Sequence, residues 1–287
     1  MIVITGATGA LNGATVEHLL ERMPASEVGV SVRDTAKAQH LADRGVRVRR
    51  GSYEDADGLR HSFEGADQVL LVSSSDPTAD AVALHAAGIE AAVAAGASRI
   101  LYTSHQGAGL GSPFGPAHDH AATEELLARS GVAWTSLRNG FYAHTLGWML
   151  SPWSETGTIA TPADGPVSWT WREDAAEAAA VILAALASGD DGGEFDGPVT
   201  LTAGTAPDFD EIAATVSELS GRPIARAVLD DEEWLARQAA AGQLEPMSRF
   251  TLGFFRAARE GRFAGTSPLL GELLGRAPRS ARDILAA

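Results

Sequence analysis

Short apolar runs alternate with helix-forming stretches through the first half of the chain, and this rhythm constrains the fold more than any other feature. The apolar runs cover residues 2–5, 28–32, 46–50, 67–75, 98–104 and 132–140. A helix-forming stretch such as "ADAVALHAAGIEAAVAAG" (79–96) separates each run from the next. Short β-rich runs that alternate with helices indicate parallel βαβ units. Because the runs contain few polar residues, we expect helices to cover both faces of the sheet.

After about residue 140 the alternation ends, and proline, glycine and tryptophan become frequent. We expect here a helix at 173–189, a strand at 198–204, an amphipathic helix that begins after Asp208 or Asp210 as N-cap, and a helical tail at 230–287. The predicted fold is therefore α/β. It consists of a doubly wound parallel (Rossmann) sheet in residues 1–140 and a smaller, partly interwoven C-terminal α/β lobe in residues 141–287. The segment at about 171–203 is expected to pack back onto the first lobe.

Composition excludes several classes of protein. The chain of 287 residues has no cysteine, which rules out disulfides and thiolate metal sites. Its formal net charge of −15 disfavours nucleic-acid partners, which require clustered Lys and Arg. No apolar run approaches the roughly 18–20 residues of a membrane span. The first residues, "MIVITGATG", predict a strand that enters a glycine turn rather than a signal peptide. We therefore expect a cytoplasmic protein.

The stretch "TGATGALNG" (5–13) follows the first strand directly and opens a helix. Glycines at this place permit a tight turn and let backbone N–H groups approach a pyrophosphate at the helix N-terminus. A glycine pattern alone is weak evidence, but its position after the first strand of a βαβ series predicts nucleotide binding. The expected cofactor contacts are Gly6, Thr8, Gly9, Ala10, Leu11 and Asn12.

Asn12 occupies the position of the expected third glycine, and Gly13 follows it. Two interpretations are open. Asn tolerates the left-handed conformation and could replace a glycine that the backbone requires. If the third glycine serves close packing of helix against strand instead, Gly13 could take that role after a shift of one residue.

The second strand ends in Arg33 and Asp34, at the distance from the glycines where the ribose is recognised. An arginine there suits the 2′-phosphate of NADP, because a guanidinium can bind phosphate with two hydrogen bonds. Asp34 is either a ligand of the NAD ribose or the N-cap of the helix that begins at Thr35. The sequence favours NADP(H).

Several stretches together carry a family resemblance: "TGATGALNG", "VRDTAKAQ", "GSYED", "VLLVSSS", "ILYTS", "HAATEELLARSGVAWTSLRNGFY" and "ELLGRAPRSARDIL". They resemble the NmrA-like branch of atypical short-chain dehydrogenases, and within it type 2 NAD(P)H:quinone oxidoreductases and triphenylmethane reductases. The resemblance implies an NADP(H)-binding Rossmann lobe, a small lobe that closes a substrate cleft, and hydride transfer to quinones or similar conjugated acceptors. The chain departs from the family at Asn12, and at Ser52, where the family often has Asp.

His120 and Glu124 stand where many related reductases carry a Tyr and, four residues later, a Lys. No such dyad can be assembled locally, because the single lysine, Lys37, lies far from all three tyrosines in the sequence. His120 and Glu124 share one helix face. We expect either that His120 donates a proton, with its pKa raised by the nearby carboxylate, or that both residues only shape the pocket. The predicted catalytic set is His120, Glu124 and Tyr142.

Other site residues follow from the ends of the strands, since open α/β sheets bind ligands at their carboxyl edge. The expected cofactor contacts there are Ser73, Ser74, Thr103, Ser104, Asn139, Gly140 and Phe141. The expected substrate pocket contains His105, Tyr142 and Trp148. Phe141, Trp148 and Trp153 form either an aromatic wall for a flat substrate or core packing between the lobes, whereas Trp169 and Trp171 are expected in the core.

These features predict an NADPH-dependent reductase of quinones or similar conjugated compounds. The alternative is a non-catalytic NADP(H) sensor that acts through protein partners. A nucleotide-sugar epimerase is disfavoured because its Tyr is missing, and a serine hydrolase because no G-x-S-x-G occurs. His118 and His120 lack a third metal ligand, so no metal is expected. We expect no membrane or nucleic-acid partner and leave a homodimer open.

Overall fold

A computed structural model describes residues 1–74, 76, 78–150, 152–189 and 192–286. Its centre is a seven-stranded sheet in the order β10-β6-β5-β4-β1-β2-β3, in which every neighbouring pair is parallel. The strands of this sheet are β1 (Ile2–Thr5), β2 (Val28–Val32), β3 (Arg47–Arg50), β4 (Gln68–Leu71), β5 (Arg99–His105), β6 (Ala133–Asn139) and β10 (Gly197–Leu201). The predicted doubly wound fold is confirmed.

Two small parallel sheets lie outside the main one. They pair β7 (Phe141–Tyr142) with β9 (Trp169–Thr170), and β8 (Thr158–Pro162) with β11 (Ala225–Leu229). The α-helices are α1 (Ala10–Leu20), α2 (Gln39–Ala42), α3 (Ala56–Phe63), α4 (Ala81–Ala94), α5 (Gly115–Ala128), α6 (Leu146–Met149), α7 (Trp153–Thr156), α8 (Arg172–Ala187), α9 (Phe209–Ser220), α10 (Asp231–Ala240), α11 (Glu245–Arg259), α12 (Leu269–Leu274) and α13 (Ala281–Leu285). Short 3₁₀ turns occupy Ala25–Glu27, Thr35–Ala38, Ala143–Thr145 and Gly192–Phe195.

The strand order reverses between β1 and β4, since the chain runs from β1 to β2 and β3 on one side and continues through β4, β5 and β6 on the other. In such sheets the crevice beside the reversal, at the carboxyl ends of the strands, receives the ligand. One apolar core, which includes residues of α1 and α8, covers one face of the sheet. A second, which includes residues of α3 and α4, covers the other.

The second half of the chain returns to the sheet. β10 adds an edge strand beside β6, α8 packs on α1, and α12 packs on α8. The rest of this half forms its own core, in which Trp169 is completely buried among aromatic residues of α9 and α11. The expected core position of Trp169 is confirmed.

Local signals explain most element boundaries. Asp208, rather than Asp210, caps α9: its carboxylate accepts the N–H of Glu211, whose own side chain accepts the N–H of Asp208. The stretch 67–75 was expected to be a longer strand, but β4 ends at Leu71 because the next N–H groups bond to side chains. The N–H of Val72 reaches Thr5 Oγ1 at 2.8 Å, and Ser75 lies outside the described residues.

Within the described ranges, no helix combines the length and apolar character needed to cross a membrane.

Candidate functional site

The glycine turn is built for close backbone approach. Gly6 adopts a left-handed φ of 65°, and a Cβ there would lie 2.6 Å from Val72 Cγ1. Gly9 is the N-cap of α1, and its N–H donates to the carbonyl of Gly6 at 2.9 Å. The turn therefore brings the N-terminus of α1 to the crevice, which suits an anionic pyrophosphate.

Asn12 does not act as a substitute for a left-handed glycine. It lies inside α1, and no non-glycine residue of the described chain has a positive φ. Its side chain is 1% exposed and donates from Nδ2 to the carbonyl of Thr5 at 2.8 Å. A Cβ on Gly13 would lie 3.0 Å from the carbonyl oxygen of Ala7, so Gly13 occupies the place where helix and turn approach most closely.

The two residues that follow β2, Arg33 and Asp34, lie in different environments. The carboxylate of Asp34 accepts the N–H of Ala36 at 3.1 Å and caps the following 3₁₀ turn, in agreement with the N-cap interpretation. Arg33 is exposed, forms no ion pair or hydrogen bond in the described chain, and lines the cleft. Hydrogen bonds from Thr78 and, to a smaller extent, the charge of Arg33 hold the pKa of Asp76 below its ordinary value.

A cleft of about 530 Å³ opens beside the strand reversal. Its walls include the predicted residues Gly6, Thr8, Gly9, Arg33, Ser73 and Ser74. They also include Thr5, Ser31, Ser52, Tyr53, Asp76 and Leu84, which were not predicted as cofactor contacts. Ala10 and Leu11 lie in the first turn of α1, and Ala10 lines a second, outer hollow together with Gly13 and Lys37. Their contacts with a cofactor stay predictions.

Thr103 and Ser104, at the end of β5, are buried and hold neighbouring elements in place. Thr103 Oγ1 accepts the N–H of Ser73 at 2.8 Å, which ties the end of β4 to β5. Ser104 Oγ donates to Glu124 Oε1 at 2.8 Å. Neither hydroxyl lines the cleft described above. Direct contacts of these two residues with a cofactor stay a prediction.

Glu124 is the centre of a buried charged cluster. Its carboxylate is 7% exposed and accepts hydrogen bonds from Ser104, from Ser136 at 2.7 Å and from both Nε and Nη2 of Arg138. Burial acts to raise the pKa of Glu124, but these donors outweigh burial and hold its pKa below the ordinary value. Glu124 is therefore an ionised carboxylate whose oxygens are fully engaged by the protein.

His120 lies one helical turn away in a different environment. Its Nδ1 is 2.8 Å from Tyr102 Oη, and its ring stacks on that of His105 with centroids 6.2 Å apart. Burial, together with the neighbouring histidines His105 and His85, lowers the pKa of His120 to about 3. The expectation that a carboxylate raises this pKa is wrong, because Glu124 bonds to Arg138 and the two serines instead. At neutral pH the imidazole of His120 is uncharged.

His105 lies at the end of β5 inside an aromatic cluster formed by Phe114, Phe141, Phe254 and Phe263. Its Nδ1 accepts the N–H of Gly107 at 3.0 Å, so the neutral ring carries its proton on Nε2. That nitrogen is buried and has no protein partner in the described chain. Burial lowers the pKa of His105 to about 4.

The residues after β6 lie where the two halves of the chain meet. A Cβ on Gly140 would lie 2.8 Å from the carbonyl oxygen of Ser168, so only glycine allows this approach. Asn139 is 3% exposed, and its Oδ1 has no hydrogen-bond partner in the described chain. Its Nδ2 donates to Tyr142 Oη at 3.3 Å, and burial raises the pKa of Tyr142 to about 12.

Of the three residues considered for an aromatic wall, Phe141, Trp148 and Trp153, only Phe141 belongs to a cluster of rings in the described chain, and the role of Trp148 in a substrate pocket stays a prediction. Phe141 packs on Phe254 with ring centroids 4.5 Å apart, in agreement with the core-packing interpretation. Trp148 is 51% exposed and, like Trp153, makes no ring contact in the described part of the chain. The rings that contact His105 are those of Phe114, Phe141 and Phe263. The alternation of strands and helices gave no signal for this contribution from residues so distant in sequence.

No group of three or more potential metal ligands occurs among the residues that the structure describes. His118 donates from Nε2 to the carbonyl of Ser112 at 2.6 Å, which commits that nitrogen to the backbone.

With the geometry established, comparison with known proteins identifies the family. Residues 6–190 match the NAD(P)H-binding family, and the chain belongs to it. It is 33% identical over 276 residues to quinone oxidoreductase 2 of Escherichia coli, which covers 96% of this chain and 94% of the relative. It is 31% identical to the NAD(P)H azoreductase of Xenophilus azovorans, over 86% of this chain and 83% of the relative.

Solved structures agree with this assignment. The crystal structure of the E. coli quinone oxidoreductase 2 with NADPH has a TM-score of 0.90 and 31% identity, and covers 100% of this chain and 99% of its own. The triphenylmethane reductase of Citrobacter sp. with NADP(H) has a TM-score of 0.86 and 32% identity, with 100% coverage of both chains. The family resemblance inferred from the sequence is confirmed.

The site also contains residues that the sequence analysis missed. Tyr102 and His85 are buried beside His120, and Arg138 neutralises Glu124. Tyr102 stands three residues before His105, inside the stretch "ILYTS" that carries part of the resemblance. His85 gave no signal at all, because a single histidine on an apolar helix is ordinarily a core residue.

Proposed function

We propose that this protein is an NADPH-dependent reductase that delivers hydride to quinones or similar flat, conjugated acceptors. Its membership of the NAD(P)H-binding family and its 33% sequence identity with quinone oxidoreductase 2 support the assignment to the oxidoreductases. The observation that carries the substrate class is the uncharged His120, stacked on His105 beside an aromatic cluster at the carboxyl edge of the sheet. A flat apolar acceptor suits such a surface, and an uncharged donor suits its oxygen.

The residues of the cleft fit a reduced dinucleotide. The glycine turn leaves space for phosphates, and the buried, unpartnered Oδ1 of Asn139 is free to accept a hydrogen bond from an amide. Such a cofactor, when bound, supplies the hydride. In this proposal the turn and Ser73 and Ser74 orient the dinucleotide, and Arg33 binds the 2′-phosphate, so NADPH is preferred over NADH.

We assign His120 the role of hydrogen-bond donor to the acceptor oxygen, through Nε2. A neutral imidazole can stabilise the negative charge that develops on this oxygen without transferring a full proton. Water then supplies the one proton that, together with the transferred hydride, completes the hydroquinone. Glu124 is a positioning residue, because its carboxylate is engaged by the protein and fixes α5 against β5 and β6. Tyr142 is proposed to face the acceptor from the second half of the chain.

The non-catalytic sensor alternative is disfavoured. The two curated relatives above, at 33% and 31% identity, are both reductases. The buried donors beside the cleft also suit chemistry on a small molecule better than a protein contact.

The direct test is NADPH oxidation by the purified protein with a panel of quinones of graded reduction potential. We expect turnover with NADPH that exceeds turnover with NADH. If no acceptor supports NADPH oxidation although NADPH binds, the sensor function replaces the reductase.

Replacement of His120 sharpens this test. His120→Ala should leave kcat nearly unchanged with highly electrophilic quinones and lower it by about tenfold or more with weak acceptors. His118→Ala, an exposed histidine on the same helix, is the matched control and should leave both rates unchanged. Because the pKa of His120 is about 3, the wild-type rate should not show a histidine titration between about pH 5 and 8. A constant ratio of mutant to wild-type rates across all acceptors would contradict this role.

A further inference from the structure

A chain of buried hydrogen bonds connects the wall of the cofactor cleft to His120. It begins at the N–H of Ser74, which is 2.8 Å from His85 Nε2. His85 Nδ1 lies 2.8 Å from Thr123 Oγ1 and 3.4 Å from Tyr102 Oη. Tyr102 Oη then lies 2.8 Å from Nδ1 of His120. His85, Thr123 and Tyr102 are all buried, so the middle of the chain is shielded from water, whereas its two ends at Ser74 and His120 are part-buried.

The direction of each bond follows from the first one. A backbone N–H can only donate, so Nε2 of His85 must be the acceptor and carries no proton. Burial lowers the pKa of His85 to about 4, which keeps its ring neutral at physiological pH. A neutral imidazole with a free Nε2 carries its proton on Nδ1. His85 is therefore a donor toward Thr123 and Tyr102.

Thr123 and Tyr102 complete the deduction. The hydroxyl of Thr123 donates its hydrogen bond to the carbonyl of Asp119 at 2.7 Å. Its oxygen is therefore the acceptor of the hydrogen bond from His85 Nδ1–H. Tyr102 cannot donate to His85 Nδ1, because that nitrogen already bears a proton. Burial raises the pKa of the Tyr102 phenol far above its ordinary value, so the phenol retains its proton. Thr123 also lies within hydrogen-bond reach of this phenol, but its oxygen already accepts the N–H of His85, so in the described chain the proton of Tyr102 goes to Nδ1 of His120, 2.8 Å away.

We propose that Tyr102, oriented by His85, is a positioning residue that fixes His120 in the tautomer with its proton on Nε2. Nε2 of His120 has no hydrogen-bond partner in the described chain. Unlike Nε2 of His105, it is not completely buried. It is therefore the nitrogen available to an acceptor oxygen. The tautomer of His120 follows from the hydrogen bonds alone. Only the use of its Nε2 proton, as a hydrogen-bond donor to an acceptor oxygen, rests on the proposed function.

No other group competes to set the tautomer. The titratable groups that face His120 are His85 and His105, both neutral at physiological pH, and Tyr102. Glu124, the carboxylate on the same face of its helix, is bound by Arg138, Ser104 and Ser136. Without the phenol of Tyr102, no hydrogen bond in the described chain would require Nδ1 of His120 to be unprotonated. A fraction of the molecules would then present a lone pair, rather than an N–H, to the acceptor oxygen.

Nitrogen NMR of ¹⁵N-histidine-labelled protein tests the tautomer without any assay of activity. The His120 signals, assigned with His120→Ala, should show Nδ1 unprotonated and Nε2 protonated in the wild type. Tyr102→Phe should shift both signals toward their average as the tautomers mix. Tyr53→Phe removes another buried phenol, which bonds to Thr5 and Val72, and should leave the His120 signals unchanged. A wild-type His120 with its proton on Nδ1, or signals unaffected by Tyr102→Phe, would overturn the proposal.

The kinetic test separates positioning from packing. Tyr102→Phe should lower kcat with weak acceptors by about twofold, less than His120→Ala does, and leave KM for NADPH unchanged, because the donor contact is lost only in the fraction of the molecules that adopt the other tautomer. His85→Gln, which can still accept from Ser74 and donate to Thr123, should retain more of the rate than His85→Leu. Equal losses in the two His85 variants would mean that His85 only fills space, and would contradict its orienting role. If the protein has no reductase activity but the NMR result holds, the proposed function fails and the tautomer assignment stands.

Discussion

The cofactor cleft and the site at His120, where we propose that the acceptor binds, are built from different materials. We call them the cofactor end and the acceptor end. At the cofactor end the glycine turn brings the backbone close to the cleft: at Gly6, Gly9 and Gly13 a Cβ would come within 2.6 to 3.2 Å of another atom of the protein. At the acceptor end, side chains form the site. His120 and Glu124 lie one helical turn apart there and differ in both charge and hydrogen bonding. His120 is neutral with one nitrogen left free, whereas Glu124 is ionised and fully bonded.

This difference determines how each end responds to substitution. At a backbone surface a mutation acts by occupying space, so its effect is large and independent of pH. At a side-chain surface a mutation acts through hydrogen bonds and protonation, so it affects stability and rate in ways that depend on the partner lost. Substitutions at four positions test this contrast.

The largest expected effect is at the glycine turn. Gly9→Val would place a branched side chain where its Cβ lies 3.2 Å from the carbonyl of Gly6, at the N-terminus of α1. We expect the variant to fold but to lose NADPH affinity by more than about a thousandfold, measured by fluorescence titration. In Gly204→Ala, the control, the added Cβ has nothing within 4 Å and affinity should not change. A Gly9→Val protein that binds NADPH within about tenfold of the wild type would refute the backbone description of this end.

The next effect is on stability at the acceptor end. Glu124→Ala leaves Arg138 without its carboxylate and should lower the free energy of unfolding by about 3 kcal/mol, the lower end for a buried pair because Arg138 is partly exposed. Glu125→Ala, at the adjacent and exposed position, breaks only its pair with Arg129 and should cost less than about 0.5 kcal/mol. Urea unfolding measures both.

The pH dependence of that loss has a definite sign. The folded pKa of Glu124 lies below its ordinary value, so its stabilisation is present above the unfolded pKa and is lost as pH falls toward the folded value. The difference in stability between wild type and Glu124→Ala should therefore shrink as the solution is acidified below about pH 4.5. A difference that does not change with pH would show that Glu124 stabilises the fold by packing alone.

The same contrast explains which features the sequence could reveal. The glycine turn and the end of β2 are local, so spacing within one βα unit predicted Gly6, Gly9 and Arg33 as cleft residues. The division of the chain into two lobes stays a prediction, although β10 and α8 return to the first half. Of the two interpretations of Asn12, the left-handed one was wrong, because Asn12 lies inside α1 and its side chain bonds to Thr5, a contact that the spacing did not reveal.

The acceptor end was less accessible to sequence reasoning. His120 and Glu124 were correctly placed on one helix, but spacing along a helix does not show which partners come from other strands. Arg138, on β6, engages Glu124, and Tyr102, on β5, engages His120. Such contacts depend on strand order, and strand order is a property of the whole sheet.

Arg33 is expected to show an intermediate effect on affinity, because it contributes a side chain, rather than backbone, at the cofactor end. If it binds the 2′-phosphate, Arg33→Ala should lose about 1.5–3 kcal/mol of NADPH affinity, roughly tenfold to hundredfold, and leave NADH affinity unchanged. Arg50→Ala at the end of β3, outside the residues that line the cleft, is the matched control. Equal affinities for NADPH and NADH in the wild type would show that Arg33 makes no phosphate contact.

The smallest effect should come from Asn12, a side chain that supports the turn from behind. Asn12→Ala removes the bond from Nδ2 to the carbonyl of Thr5 and should lower the free energy of unfolding by about 1–2 kcal/mol. Asn12→Gly should cost about 1 kcal/mol more, because glycine is unfavourable inside a helix. NADPH affinity should stay within about threefold in both, since the side chain is buried and Gly13 makes the close approach. Tenfold weaker binding at unchanged stability would mean instead that Asn12 reaches the cofactor, and that this end is not built from backbone alone.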